Sequence, residues 1–442
     1  MKAIFMNPQK AITQAYIILL MTAFPFFTGA KGYADITLSK FRAFSLLSCT
    51  YVVSMAVASI AAARVCRPLS AVALLKKLSW PQRAALLYLS VTWISAFASP
   101  YWPETVLGAS RYEGAFTITL YVLCFLLVAA YGEADRLLLW ALVAAVTLES
   151  LLCIVQLAGK NPFGLYPKGY SYFDAGKAYG GEYLGTLGNT DLMAAFYCLA
   201  VPILAYGMAC MKGVRRLALL AAFALSSYTL VRISVMAGFV GVAAGLLLAL
   251  PMGFREKCTR LICAAALAGL LLAALLAVYI ADPPVGMPHE IHNILHGDFD
   301  SSFGSGRIHI WKEAAAAAVT RPLLGFGPDT MINGGLEPFT RYDAELGIRI
   351  VAMIDTAHNE YLNIWYHQGI LALGAYIWLL VLLAKRWTAA APADGAALAL
   401  GAGIIGYCAQ AFFGFSMCIT APFFWTALGL LARRIDPAKG KE

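Results

Sequence analysis

The sequence predicts an all-α polytopic membrane protein with about twelve transmembrane helices, and composition is the first reason. Of its 442 residues, 61% are hydrophobic and only 13% are charged, with a mean hydropathy of +0.72. Soluble domains carry about 25% charged residues, so the soluble globular and disordered classes are excluded. At roughly 20 apolar residues per crossing, the chain holds material for about a dozen helices.

Apolar runs along the chain are the second reason for this fold class. Twelve such runs alternate with more polar segments, and an even number of crossings places both ends of the chain on one side of the membrane. The twelve predicted helices lie near residues 11–30, 41–63, 82–99, 114–131, 134–158, 189–211, 216–231, 234–250, 259–281, 364–384, 396–414 and 420–433.

The distribution of charge is the third reason, and it predicts the orientation. With a cytoplasmic N-terminus, the cytoplasmic segments hold 20 of the 33 Lys and Arg residues but only 6 of the 24 Asp and Glu residues. Cytoplasmic loops are enriched in Lys and Arg, so both termini are expected in the cytoplasm. The net charge of +9 is spread over short loops and not gathered in a soluble domain, so no nucleic-acid partner is expected.

The longest connection divides the chain into three predicted regions. Residues 1–281 hold helices 1–9 and an outer loop at 159–188, residues 282–357 form a long extracytoplasmic loop, and residues 358–442 hold helices 10–12. A loop of this length is usually functional or disordered. Its aromatic residues and a helix signal predict a folded helical cap.

The strongest chemical signal lies in that loop. Ser305 is a plausible N-cap for a helix over 307–319, which places Arg307 in the first turn and Trp311 one turn further along the same face. Free N–H groups at a helix start, together with a forked guanidinium, make a suitable anion site. The alternative is that Arg307 pairs with an acid of the same loop.

Three further residues are candidates at the membrane surface. His358 lies where the loop meets the tenth helix, and it is either a proton acceptor or a histidine satisfied by interfacial hydrogen bonds. Arg232, at the turn after the seventh helix, is expected to be functional or to reach lipid phosphates. Arg111 is a weaker candidate, since Glu113 stands two residues away to neutralise it.

A metal site is not predicted from the histidines of the loop. His289, His292 and His296 share a helical face at spacings of three and four residues. The zinc-protease pattern requires two intervening residues between Glu and the second His, and this sequence has one.

Taken together, these motifs resemble the O-antigen ligase / O-antigen polymerase family of bacterial membrane glycosyltransferases. The resemblance departs from the family pattern at two positions: Asp191 replaces the second Asn of the Gly-Asn-x-Asn element, and Ala372 replaces a Gly, Thr or Tyr. The matching elements are Ser305-Gly306-Arg307 with Trp311, the run Arg321 to Gly327, His358-Asn359 with Gly369, Arg232, and Gly188-Asn189 before the sixth helix.

The resemblance implies a GT-C-like arrangement of helices and a reaction outside the cytoplasmic (inner) membrane. A glycan would move from undecaprenyl pyrophosphate to an acceptor hydroxyl of lipid A–core or another envelope molecule, with inversion and without a metal or cofactor. By the resemblance, Arg232 and Arg307 hold the pyrophosphate and His358 acts as general base or orienting group. The further residues expected to bind pyrophosphate or glycan are Arg111, Arg321, Trp311, Asn359 and Asn189.

Several functions remain open at this stage. The intact His-Asn element and the twelve-helix layout favour ligation over a polysaccharide polymerase or a protein O-oligosaccharyltransferase of the same family. A lipid-linked glycan transporter would place ionisable residues near the bilayer midplane, and Glu149 is almost the only intramembrane acid. A non-catalytic envelope assembly factor would tolerate replacement of Arg232 and Arg307.

Overall fold

The computed structural model describes residues 7–63, 78–166, 171–172, 177–178, 185–281, 283, 287–300, 303–343 and 348–436. Within these residues the chain forms fourteen α-helices and two antiparallel hairpins, β1 (Ser171–Tyr172) with β2 (Lys177–Ala178) and β3 (Phe339–Asp343) with β4 (Ile348–Ala352). The helices are α1 (Pro8–Thr22), α2 (Ile36–Ala63), α3 (Trp80–Ala98), α4 (Ala115–Tyr131), α5 (Arg136–Leu157), α6 (Thr190–Ala209), α7 (Gly213–Ile233), α8 (Met236–Ala249), α9 (Lys257–Ala281), α10 (Met287–Leu295), α11 (Phe303–Thr320), α12 (Glu360–Ala390), α13 (Gly395–Ala411) and α14 (Ala421–Arg434).

The all-helical membrane class predicted from composition is confirmed. Each of the twelve apolar runs falls on one of these helices. Among the described residues, seven helices are long and apolar enough to cross a membrane, namely α2, α5, α6, α7, α8, α9 and α12. The number twelve therefore stays a prediction.

Two predicted helix starts or ends are wrong for local reasons. The first helix ends at Thr22 instead of near residue 30, and Pro25, which cannot donate a backbone hydrogen bond, follows three residues later. The helix of the long loop begins at Phe303, so Ser305 lies inside it and is not its N-cap. Gly304 and Gly306 have φ angles of 63° and 86°, which makes the backbone just before Arg307 irregular.

The centre of the bundle is formed by α6, which packs against α7, α8 and α13. Glycines let these helices approach closely. A Cβ on Gly241 of α8 would lie 2.7 Å from the Gly406 carbonyl of α13, and one on Gly406 would collide with the Cys198 carbonyl of α6. Small residues at such crossings are the usual device of membrane bundles, where packing and not hydrophobicity drives association.

A break in α12 fixes the segment that follows α11. Gly369 interrupts α12 with a φ of 79° and a ψ of 175°. The freed groups are taken by the incoming segment: Ile370 N donates to Pro322 O at 2.8 Å, and Gly327 N donates to His367 O at 2.7 Å. A Cβ on Gly369 would collide with the Leu323 carbonyl. The Pro322–Gly327 run is therefore a structural insert that locks the long loop onto the bundle.

Polar contacts identify two opposite ends of the bundle. One end carries the ion pairs Lys10–Glu133 (2.7 Å) and Arg434–Asp394 (2.6 Å). The other end, which we call the site end, holds the starts of α6 and α12, the first turn of α11 and the loops before α4 and α14.

Candidate active site

Two capped helix starts meet at the site end. Asn189 Oδ1 accepts hydrogen bonds from Asp191 N (2.8 Å) and Leu192 N (3.3 Å) at the start of α6. Asn359 Oδ1 accepts from Leu362 N (3.0 Å) at the start of α12. Both asparagines, expected to bind substrate, are N-caps in the structure. The positive ends of two helix dipoles therefore converge, which favours an anion between them.

Asp191 and His358 extend from these two starts toward each other. The distance from Asp191 Oδ2 to His358 Nδ1 is 3.8 Å. His358 adopts a left-handed backbone conformation with a φ of 47°, which non-glycine residues rarely hold without support from their surroundings. Asp191, which the sequence showed only as a departure from the family pattern, lies at the centre of the site.

Arg307 completes this cluster from the long loop. Its Nε donates to Phe413 O at 3.0 Å and its Nη1 donates to Gly304 O at 2.8 Å, while Nη2 lies 3.8 Å from Asp191 Oδ2. The two carbonyls fix the guanidinium without cancelling its charge. Among the described residues the acid near Arg307 is Asp191 of α6 and not, as in the alternative, an acid of the same loop.

Trp311 supports the cluster through the backbone. Its Nε1 donates to Ala357 O at 2.9 Å, and its ring packs against Phe412 and Phe413. Trp311 thus contacts both Ala357, which precedes His358, and Phe413, whose carbonyl accepts a hydrogen bond from Arg307. The sequence predicts that Trp311 binds substrate, and in the structure its N–H donates to the backbone.

Arg111 approaches from the loop before α4. Its guanidinium donates two hydrogen bonds of 2.9 Å to Asp355 and lies 4.3 Å from the centre of the Phe415 ring. Phe415 in turn meets the His358 ring edge-on at 5.2 Å. The expectation that Glu113 neutralises Arg111 is wrong, because Glu113 instead accepts a 2.7 Å hydrogen bond from Tyr121.

Asp329 holds the Arg111 loop in place, and no local sequence pattern predicts this contact. Its carboxylate accepts from the backbone N–H groups of Ser110 (3.2 Å), Arg111 (2.8 Å) and Glu113 (3.3 Å). Burial raises the pKa of Asp329, while these hydrogen bonds oppose that rise. Because the partners are more than 200 residues apart, no spacing rule connects them.

The charge state of His358 follows from its surroundings. Burial and the positive charges of Arg307 and Arg111 lower the pKa of His358 to about 3, so its ring is neutral at pH 7. Its Nδ1 has no hydrogen-bond partner within the part of the chain that the structure describes. The side chain is 29% exposed. His358 is therefore a neutral, partly exposed imidazole beside an anion site, with a buried Nδ1 that has no hydrogen-bond partner among the described residues.

Two predicted site residues lie apart from this cluster. Arg232 is exposed in the last turn of α7 and has no partner among the described residues. Arg321 donates to Ala98 O at 3.3 Å and lies 5.5 Å from the Phe326 ring. Within the described ranges, neither arginine contacts Arg307 or His358.

The histidines in and just after α10 contact backbone carbonyls. His289 Nδ1 lies 2.8 Å from Pro283 O, His292 Nδ1 lies 3.0 Å from Val278 O, and His296 Nδ1 lies 2.8 Å from His292 O. In the ranges that the structure covers, no group of three or more His, Cys, Asp or Glu side chains is arranged to hold a metal ion.

Comparison with known families bears on the segment that carries most of these side chains. Residues 221–377 match the family model described as O-antigen ligase. This segment is an O-antigen ligase family domain. The match includes Arg232, Arg307 and His358, and it confirms the resemblance noted from their motifs. Asp191 lies outside it. No curated protein matches the chain.

Outside the ligase-family domain, a network of buried hydrogen bonds positions the turn that precedes α6. Glu149 of α5 accepts 2.6 Å hydrogen bonds from both the backbone N and the Oγ1 of Thr186, and Gln156 Oε1 accepts from Gly185 N at 3.0 Å. These contacts fix the turn that leads to Asn189. In the sequence, the feature that pointed to this network is Glu149 itself, because carboxylates within predicted transmembrane helices are rare and are usually functional.

Proposed function

We propose that this protein is an O-antigen ligase-like glycosyltransferase. It moves a glycan from undecaprenyl pyrophosphate to an acceptor hydroxyl, of lipid A–core or another envelope molecule, on the outer side of the bacterial inner membrane. The observation that carries the proposal is the meeting of Arg307 and the neutral His358, both in the segment that matches the ligase family, with the N-termini of α6 and α12.

The donor pyrophosphate occupies the space in front of Arg307 and the starts of α6 and α12. Hydrogen-bond donors that are already in place before the reaction stabilise the negative charge that develops on the pyrophosphate, and they need no reorganisation at the transition state. The acceptor oxygen attacks the anomeric carbon from the face opposite the phosphate, so the glycosidic bond breaks and undecaprenyl pyrophosphate leaves with the electron pair. The configuration inverts, and the guanidinium supplies the counter-charge that a metal supplies elsewhere.

His358 accepts the proton of the acceptor hydroxyl or orients that hydroxyl, with Asp191 as its neighbour. Burial and the positive charges of Arg307 and Arg111 lower the pKa of the imidazole. A bound pyrophosphate offsets that positive charge and raises the pKa of His358. We therefore propose an ordered reaction in which donor binding prepares the base for the acceptor.

Membrane placement follows from the charge pattern. We propose that both termini are cytoplasmic, that the chain crosses the membrane twelve times, and that residues 282–357 cap the site on the outer side. The end opposite the site carries Lys10 and Arg434, as the excess of positive charge in cytoplasmic loops would require.

Polymerisation of glycan repeats and transfer to protein use the same donor chemistry, so the acceptor decides among them. Transport is a weaker proposal, because the intramembrane Glu149 is tied to Thr186 and is not presented to a pathway. One transfer assay with different acceptors distinguishes these functions.

The test is glycan transfer by the purified full-length protein from an undecaprenyl-pyrophosphate donor. Lipid A–core, an acceptor protein and donor alone are compared, with Arg307→Ala and His358→Ala as variants and Arg321→Ala as a matched surface-arginine control. Transfer to lipid A–core that both site variants abolish and the control retains supports ligation. Lengthening with donor alone indicates a polymerase, and full activity of folded Arg307→Ala contradicts the proposed site.

A further inference from the structure

A second pocket opens beside the proposed active site. It lies beneath Arg111 between α3, α4, α12 and α14, has a volume of about 70 Å³ and opens to solvent on one side. Its walls include Tyr88, Tyr121, Glu360, His367, Tyr376 and Trp425.

Two polar atoms in this pocket are buried and unpaired. Glu360 and His367 are each 8% exposed, and both line the pocket. Glu360 Oε2 and His367 Nε2 have no hydrogen-bond partner among the residues that the structure describes. Buried polar groups are nearly always satisfied, so two unsatisfied ones facing the same space indicate a missing polar partner.

The other polar groups around them are already committed. Glu360 Oε1 accepts from Tyr376 at 2.9 Å, and Gln368 Oε1 accepts from Thr92 at 3.0 Å. The framework is therefore rigid, with one carboxyl oxygen and one imidazole nitrogen left to bind a ligand.

Aromatic rings supply the remaining walls. Trp425 lies nearly parallel to Tyr88 (6.1 Å, 17°) and to Tyr121 (6.2 Å, 13°). Flat apolar faces combined with a few fixed polar groups match a sugar ring, which presents C–H bonds on its faces and hydroxyls at its edge. A single water would satisfy the polar groups but would make no use of the aromatic walls.

The charges around the pocket favour a neutral ligand. Arg111, at the mouth, is paired with Asp355. Burial raises the pKa of Glu113 well above its usual value, which favours the uncharged acid. An anion would meet Glu360, and no unpaired cation lines the pocket in the described part of the chain to compensate.

We propose that this pocket is a sugar subsite that seats one ring of a glycan, with its hydroxyls on Glu360 and His367 and its faces against Trp425 and the tyrosines. The proposal rests on the proposed function, because Arg111 and Phe415 connect the pocket to His358 and the seated ring would belong to the donor glycan or to the acceptor.

A binding test that does not depend on transfer uses carboxyl labelling. Dicyclohexylcarbodiimide adds across the O–H of a protonated buried carboxyl and rearranges to a stable N-acylurea, which mass spectrometry locates at Glu113 or Glu360. The purified full-length protein is labelled with and without methyl hexopyranosides, N-acetylglucosamine, glucosamine or inorganic pyrophosphate. Protection by a neutral sugar and not by pyrophosphate is expected. Protection by none of them, or by glucosamine alone, overturns the proposal.

Kinetics assign the source of the ring. Glu360→Gln and His367→Gln are expected to raise KM about tenfold for whichever substrate places its sugar there, donor or acceptor, with kcat within about threefold of wild type. Glu133→Gln, at the opposite end, is the control. Unchanged KM for both substrates in active variants overturns the subsite. Sugar protection in a protein that transfers no glycan keeps the subsite and contradicts the proposed function.

Discussion

Arg307 and Arg232, the two arginines expected to share one pyrophosphate, lie in very different settings. Arg307 is 21% exposed and is held by two backbone carbonyls, 3.8 Å from Asp191. Arg232 is exposed at the end of α7 and has no partner within the described ranges. A guanidinium that is fixed before the reaction stabilises the charge that appears in the transition state. A guanidinium without fixed partners contributes only to binding of the anionic donor. The difference predicts that Arg307 acts on kcat and Arg232 on KM.

The largest expected effect is that of Arg307→Ala. We expect kcat for glycan transfer to fall by about 100-fold or more, since a preorganised donor of this kind contributes on that scale. Arg307→Lys keeps the charge but cannot bind both carbonyls, so it should recover only part of the rate. Steady-state kinetics with Arg321→Ala as control provide the check, and equal rates for wild type and Arg307→Ala would contradict the comparison.

The second prediction concerns the pH response of His358. Its pKa is about 3 in the folded protein against about 6.5 for an unperturbed histidine, so the folded protein keeps the ring neutral between these values while an unfolded chain protonates it. Stability from this group is therefore present above pH 6.5 and declines as pH falls toward 3. Histidine-selective NMR of the donor-free protein, with the His358 signal assigned by its loss in His358→Gln, should show no titration of His358 near pH 6.5, and Arg307→Gln should raise the pKa of His358. A titration of the His358 signal near pH 6.5 in the wild-type protein would contradict a lowered pKa for this residue.

Asp191→Asn separates binding from chemistry. Removing the carboxylate next to Arg307 should lower KM for the anionic donor, because one negative charge no longer opposes it. The same change should lower kcat about tenfold, because His358 loses its charged neighbour. The two constants should thus fall together, a result that general damage to the fold does not produce. Donor titrations of wild type and the variant measure both, and an increase in KM would count against the proposed position of the pyrophosphate.

Arg232→Ala should have a smaller effect, confined to donor binding. We expect KM for the donor to rise up to about tenfold, equivalent to roughly 1.4 kcal/mol, and to become less sensitive to salt. Arg232→Lys should restore most of the affinity. If Arg232→Ala lowered kcat as much as Arg307→Ala does, the assignment of Arg232 to donor binding and of Arg307 to the transition state would be contradicted.

The smallest expected effect is that of Glu149→Gln. The amide oxygen can still accept from the backbone N of Thr186, but the amide nitrogen can only donate, so the Thr186 hydroxyl must turn to accept and the turn before Asn189 should loosen by about 1 kcal/mol. Activity should fall less than fivefold, and thermal stability in detergent should decrease. Glu133→Gln at the opposite end is the matched control.

The helices and half of the site could be predicted from the sequence for identifiable reasons. Runs of about 20 apolar residues have few alternatives to a helix in a membrane, so every predicted run coincided with one. Arg307 and His358 were found because they stand in short local motifs. The cap roles of Asn189 and Asn359 were also accessible, since each Asn directly precedes a helix start.

The remaining parts depend on contacts between distant segments. Asp329 binds the Arg111 loop and Asp191 meets His358 only because the bundle brings their elements together. The wrong pairing of Arg111 with Glu113 has the same origin, since proximity in sequence suggested a partner that Tyr121 takes in the fold. Local patterns carry no information on such pairings.

The most direct test of the contrast between the two arginines is single-turnover glycan transfer at saturating donor. Wild type, Arg307→Ala and Arg232→Ala are compared with the same acceptor. We expect Arg232→Ala to match wild type within about threefold once donor is saturating, and Arg307→Ala to remain about 100-fold slower. Equal losses in both variants, or full activity of Arg307→Ala, would contradict a transition-state role for the fixed guanidinium.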